Sequence, residues 1–264
     1  ALEAAASGVN WTFAPMIDVS RDPRWGRIAE SFGEDPYLTT VLGVASIRGF
    51  QGDDLSRPGA IAACAKHFAG YGASEGGRDY GYVGIPEVDL RNVYLPPFKA
   101  AVDAGVATFM AAFSDVNGVP ASGNRFLMRT VLRDEWQFPG LVVSDWESVI
   151  DLIVVGFAAS EQDAAYEALN AGVDMEMAST TYRDHLSGLL AEKRIDQDTL
   201  DAAVRNVLRV KLRLGLFERT VTDPAAYPPV ASPQNFALAR QLTTQSLVLL
   251  QNRDDALPLA LGSL

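Results

Sequence analysis

Cysteine is nearly absent from this 264-residue chain, with Cys64 the only one. An intrachain disulfide and a Cys-built zinc site are therefore excluded. Histidine is almost as scarce: only His67 and His185 occur, so a His-based metal centre is poorly supplied and no metal or other cofactor is expected. Positive charge is short too, 22 Lys and Arg facing 33 Asp and Glu for a formal net charge of -11. That balance argues against a nucleic-acid surface, which needs clustered cations to displace counterions. No apolar run approaches the roughly 18 to 20 residues that span a bilayer, so no membrane partner is expected. The opening ALEAAASG reads as the end of an Ala-rich helix stopped at Gly8; it is not a signal peptide, and it makes the chain look like an excerpt. Phosphate-cradling loops are missing as well. EGGRDYG at 75–81 lacks the Lys-Ser/Thr ending of a P-loop, and Ser144 has no G-x-S-x-G elbow around it.

What is present is a large apolar fraction, 48% of the residues, enough for one sizeable core. Short apolar, β-branched or aromatic runs at 11–19, 61–68, 106–113, 141–143 and 173–177 read as strands. Helical patterns lie between them at 37–50, 97–104, 125–136 and 161–171. Strands alternating with helices predict an α/β fold with a parallel sheet. The clearest helix is 199–214, with one buried face, Asp198 as its cap and Gly215 as its stop. A Pro-rich stretch follows, then a helical pattern at 236–244 and a strand-like SLVLLQN at 246–252. That shift in composition marks a domain boundary. Five strands fit either a barrel whose first strands lie upstream or an open doubly wound sheet, which normally carries a Gly-rich fingerprint.

The candidate chemistry sits at strand ends. LVVSDW at 141–146 delivers Asp145 and Trp146 to the carboxyl end of a buried strand, where α/β folds build their sites. Helix capping is the competing explanation for a lone Asp there. Asp18, Lys66, His67, Asp174 and Glu176 end other runs, and an adjacent Lys-His pair is costly to bury unless partners or a ligand satisfy it. Lys66 and His67 suit hydrogen bonding to a polyhydroxylated substrate, while His185 lies in a polar stretch and reads as surface. RDPRWGR at 21–27 holds three guanidinium groups. Two of them are expected to pair with Glu30, Glu34 or Asp35 and stack on Trp25, leaving one to face a pocket. Met110, Phe113 and Met177 near strand ends are, on chemistry alone, core positions.

The landmarks FAPMIDVSRDPRWGR, FGEDPY, CAKHFAGYG, EGGRDY, LPPFKAAVDAG, NGVPAS, VVSDW, AGVDMEM, GLF and SLVLLQN follow one another along almost the whole chain. In this order they resemble glycoside hydrolase family 3. The resemblance implies a TIM-barrel-like (β/α)8 domain, N-terminally incomplete, at 1–217. A Pro-rich linker at 218–234 and the beginning of an α/β sandwich domain at 235–264 would follow. It implies an exo-acting retaining β-glycosidase that releases the nonreducing-end sugar, foremost β-D-glucose, with Asp145 as the catalytic nucleophile. Trp146 matches an aromatic wall; Arg27, Lys66 and His67 match groups that bind the sugar hydroxyls; Met110, Phe113 and Met177 match positions lining the same subsite. The family often has Tyr where Phe113 stands. The loop after the Lys-His strand carries no second His, which favours the two-domain β-glucosidase-like branch over single-domain N-acetylglucosaminidases. The general acid is then expected from the second domain, with Asp18, Glu147 and Glu176 the candidates inside this chain. The implied partner is a β-linked oligosaccharide or aryl glycoside, and the implied compartment is periplasmic or secreted. β-Xylosidase, a sugar-binding fragment without catalysis, and an aldolase using Lys66 are the competing functions.

Overall fold

The computed structural model describes residues 1–259. Its strands are β1 (Cys64–Phe68), β2 (Thr108–Ala111), the short pair β3 (Asp115–Val116) and β4 (Val119–Pro120), then β5 (Leu141–Trp146) and β6 (Met175–Met177). β1, β2, β5 and β6 form one parallel sheet in that order, and β3 pairs antiparallel with β4. The helices are α1 (Leu2–Ala6), α2 (Pro36–Gln51), α3 (Glu87–Asp89), α4 (Pro96–Asp103), α5 (Asp151–Val154), α6 (Glu161–Ala171), α7 (Thr181–Ala191), α8 (Gln197–Arg213) and α9 (Pro233–Ser246). The expected helix at 125–136 is a π-helix, Phe126–Glu135. Phe68, Phe98, Phe109, Leu127, Val131, Val142 and Val173 fill the layer between sheet and helices. At about 1.5–3 kcal/mol for each fully buried large side chain, this layer is the main force holding sheet and helices together. The opposite face of the sheet buries a smaller cluster, Cys64, Met110 and Val143, with Met177 and Trp11 against it. Burial pushes the Cys64 thiol up to about 12, so it packs as an inert apolar group.

Three expectations change. Segment 11–19 runs parallel to β1 but forms only isolated bridges, Trp11 to Ala62 and Met16 to Lys66. Pro15 has no N–H to give a ladder, although the backbone still bonds across from Thr12, Ala14, Pro15 and Ile17. Segment 246–252 is not a strand: Ser246 ends α9, and Leu247, Val248, Leu249 and Leu250 stand exposed with no neighbouring strand among the described residues. Residues 260–264 of the expected second domain lie outside the described residues. α8 starts two positions early, because Asp196 rather than Asp198 caps it, accepting from Thr199 N at 2.6 Å.

The amino end of the sheet is tied by charge. Asp174, just before β6, accepts from Arg133 at 2.7 Å, from Val142 N at 2.8 Å and from Asn206 at 2.9 Å. Arg133 also donates to the carbonyls of Phe138 and Gly140. Burial pushes the Asp174 carboxyl up and the Arg133 guanidinium down, the direction desolvation gives each member of a buried pair.

Candidate active site

Two irregularities at the carboxyl end of the sheet set the site. Lys66 pairs with Met110, but Phe68 pairs with Ala111, so His67 is an extra residue in β1. A second shift separates the pairs Val143–Met175 and Trp146–Met177, placing Ser144 and Asp145 in a bulge of β5. A bulge re-aims side chains that strict alternation would point elsewhere. Ser144 stabilises its bulge: its Oγ donates to the Asp145 carbonyl and accepts from Met177 N, each at 2.8 Å.

As a result His67 lies between two carboxylates. Its Nδ1 is 2.8 Å from Asp18 Oδ2, and its backbone N–H donates to the same oxygen at 3.0 Å. Because a carboxylate only accepts, Nδ1 carries the hydrogen and Nε2 is directed elsewhere. Nε2 lies 3.5 Å from Asp145 Oδ2. The His67 and Asp18 side chains are fully buried, and Asp145 is 7% exposed. His67 Nε2, Asp18 Oδ1 and Asp145 Oδ2 have no hydrogen-bond partner, a cost that structural clusters ordinarily avoid.

Asp145 does not cap a helix. Its Oδ1 accepts from the N–H of its neighbour Trp146 at 2.7 Å, and α5 begins only at Asp151. Burial raises its carboxyl above the ordinary carboxylate range, while His67, the Trp146 N–H, Arg27 and Lys66 pull it down. The cations act in the expected direction, yet desolvation outweighs them.

The remaining expected residues divide. Arg27 reaches the site, but it also pairs with Glu30 through two bonds of 2.7 and 2.9 Å and lies 5.5 Å over the Tyr71 ring. Arg24 pairs with Asp22, not with the expected partners, and Trp25 is buried with its N–H on Asp79. Lys66 is half-buried, and Trp146 is 62% exposed beside the carboxylate. Met110 is buried against Cys64 and Val143; Met177 is half-buried beside the same cluster. Phe113 is half-buried and packs near Tyr71 and Tyr80. His185 is a half-exposed flank residue facing Glu161 at 3.2 Å.

Two strand-end acids turn away from the site. Asp174 belongs to the amino end described above. Glu176 accepts from the backbone N–H of Thr181 and Tyr182 and from Ser179 Oγ, holding the start of α7. Glu147 is exposed on the rim, and Asp18 is sealed behind His67.

Tyr71 was not among the expected site residues. It is fully buried, its ring is edge-on to His67 at 5.0 Å and to Trp25 at 5.0 Å, and its hydroxyl donates to Asp79. The signal available was Gly72 after it: a Cβ there would collide with the Val19 carbonyl, so the glycine permits the close approach that brings Tyr71 beside Asp18 and His67. Among the described residues no cluster of His, Cys, Asp and Glu could hold a metal. No helix of the described residues is long and apolar enough to cross a membrane. The arrangement offers a carboxylate with one unpartnered oxygen, a fixed imidazole beside it and two nearby cations.

The sequence matches the Glycosyl hydrolase family 3 N terminal domain over residues 1–210. The chain belongs to glycosyl hydrolase family 3. This family 3 domain is 44% identical over 265 residues to the periplasmic beta-glucosidase of Salmonella typhimurium, covering 98% of this chain and 35% of that protein. It is 38% identical over 262 residues to a putative beta-xylosidase of Formosa agariphila, covering 97% of this chain and 35% of that one. The crystal structure of the beta-glucosidase from Listeria innocua in complex with glucose superposes with a TM-score of 0.91 at 43% identity, covering 98% of this chain and 36% of that one. The family 3 domain therefore spans about a third of the length of these relatives. Its fold is TIM-barrel-like α/β, and β1, β2, β5 and β6 are part of the barrel wall.

Proposed function

We propose that this chain is the nucleophile-bearing barrel of an exo-acting retaining β-glycosidase that releases β-D-glucose from nonreducing ends. The observation that carries the proposal is Asp145 Oδ2, buried without a hydrogen-bond partner 3.5 Å from His67 Nε2 at the carboxyl end of β5. Asp145 attacks the anomeric carbon and forms a covalent glycosyl-enzyme, which water then hydrolyses. His67, Lys66 and Arg27 hold the sugar hydroxyls, and Trp146 forms an aromatic wall, with Met110, Phe113 and Met177 along the same subsite. Binding energy from these contacts favours the oxocarbenium-like transition state.

A retaining glycosidase needs its acid about 5 to 5.5 Å from the nucleophile. Asp18 is sealed and Glu176 is engaged in holding α7, which leaves Glu147 on the rim as the candidate within this chain; the resemblance to family 3 assigns the acid instead to a second domain that begins at 235–264 after the linker 218–234. The exposed Phe236, Leu238, Leu242 and Leu247 to Leu250 support that assignment, since an apolar series of this kind calls for a covering layer. The periplasmic relative supports a periplasmic or secreted location. β-Xylosidase is the second reading, favoured by the Formosa relative.

In the full-length protein, Asp145→Ala should lower kcat for an aryl β-glucoside by on the order of 10⁴-fold or more. Near-wild-type turnover would remove Asp145 from the role. An aryl β-xyloside compared with the aryl β-glucoside under the same conditions decides between the two sugars.

A further inference from the structure

Asp79 joins two loops whose contact the proposed reaction leaves unexplained. It stands in EGGRDYG at 75–81, 54 positions from Trp25 in RDPRWGR, and its Oδ1 accepts from the Trp25 Nε1–H at 3.0 Å and from the Tyr71 hydroxyl. The loop is shaped for that reach. Gly76 and Gly77 have φ of 67° and 69°, and a Cβ on Gly77 would lie 2.8 Å from Trp25 N and from Arg24 Cβ, so glycine is what lets the two loops touch. Tyr80, directly after Asp79, holds a left-handed φ of 61°, a conformation that persists in a tyrosine only where the surroundings fix it. Asp79 is itself exposed, whereas the groups it satisfies are not: Trp25 is 1% exposed and Tyr71 0%.

What these bonds hold is the floor beneath Arg27. The Tyr71 ring lies edge-on to Trp25 at 5.0 Å, and the Arg27 guanidinium sits 5.5 Å over the Tyr71 ring. Burial first, and Asp79 after it, raise the Tyr71 phenol well above its ordinary value, so it remains a neutral hydroxyl. Its single hydrogen goes to Asp79, which leaves the oxygen able only to accept. Glu30 first, and Tyr71 after it, raise the Arg27 guanidinium. Glu30 bonds Nε and Nη2 from a side chain that is 43% exposed, and an exposed ion pair fixes geometry weakly. His67, the other neighbour of Tyr71, needs no such help, because Asp18 already accepts from its Nδ1 and its backbone N–H. The residue that depends on the Asp79 bonds is therefore Arg27.

We propose that Asp79 is a positioning residue of the hydrolytic site: through Tyr71 and Trp25 it fixes the direction in which Arg27 meets the sugar. The proposal rests on the β-glycosidase reading given above. The test is a double-mutant cycle in the full-length protein with an aryl β-glucoside. Asp79→Ala should lower kcat/KM about 30-fold where Arg27 is present, and by no more than about twofold in the Arg27→Ala background. Asp79→Asn, whose amide oxygen still accepts from both donors, should stay within about threefold of wild type. Tyr71→Phe keeps the buried ring and removes only the hydroxyl; it should lose about tenfold with Arg27 and no more than about twofold without it, and it decides the matter if Asp79→Ala does not fold. An equal factor in both Arg27 backgrounds makes the network purely structural and overturns the proposal, as does wild-type kcat/KM in Asp79→Ala. Such a result beside an inactive Asp145→Ala removes Asp79 alone and leaves the β-glycosidase reading standing. If the wild-type protein turns over no aryl β-glucoside, that reading falls, and this proposal falls with it.

Discussion

The two ends of the parallel sheet each bury an aspartate, and they treat it in opposite ways. At the amino end Asp174 accepts from Arg133, Asn206 and the Val142 backbone, so both of its oxygens are used. At the carboxyl end Asp145 accepts one bond from Trp146 N, and its second oxygen stays unpartnered beside His67. Burial raises both carboxyls, so depth in the protein does not separate them. Completeness of hydrogen bonding does. The amino end is finished as structure, whereas the carboxyl end carries polar atoms whose partners would have to come from a substrate.

The strongest way to break this comparison acts on the amino end. Asp174→Ala leaves Arg133 buried without its counter-charge, and stability should fall by about 3–5 kcal/mol in denaturant unfolding. A loss below about 1 kcal/mol would mean that the pair is not what closes that end. At the carboxyl end Asp18→Asn should lower kcat for an aryl β-glucoside by about 10²-fold through loss of control over the His67 ring, with a wild-type far-UV spectrum. Unchanged turnover would reduce Asp18 to packing. The smallest effect sharpens the contrast most. The folded-state carboxyl of Asp145 is raised, so ionising it costs stability, and that cost is fully present above the raised value. Asp145→Asn should therefore raise the Tm at neutral pH, and the gain should vanish as pH falls into the ordinary carboxylate range. A lower Tm at neutral pH would show Asp145 to be a stabilising group like Asp174.

The sequence carried much of this, for identifiable reasons. Apolar runs bounded by turn residues located β1, β2 and β5, because burial between two layers demands apolar side chains whatever the partner strand; β6 is half-exposed. Gly172, the residue that follows the 161–171 pattern, ends α6 with φ of 119°, a conformation that only its lack of Cβ makes easy. Asp145 and His67 were legible as polar residues at strand ends. Their meeting was not, because it depends on a bulge in each strand, and an extra residue leaves no mark on local composition. The Asp18–His67 bond joins positions 49 apart, beyond any local pattern. Glu176 was misplaced because its role is set by the N–H groups of α7. Segment 246–252 has strand composition but no pairing neighbour, and pairing rather than propensity decides a strand.

The central claim is a covalent bond to Asp145, and one measurement addresses it directly. The full-length protein, incubated with an aryl 2-deoxy-2-fluoro-β-glucoside, is digested and its peptides weighed. The account predicts a single added fluoroglucosyl group on the peptide containing LVVSDW, localised to Asp145, with activity lost in proportion. Label on any other side chain, or steady turnover with inversion at the anomeric carbon and no adduct, would contradict it.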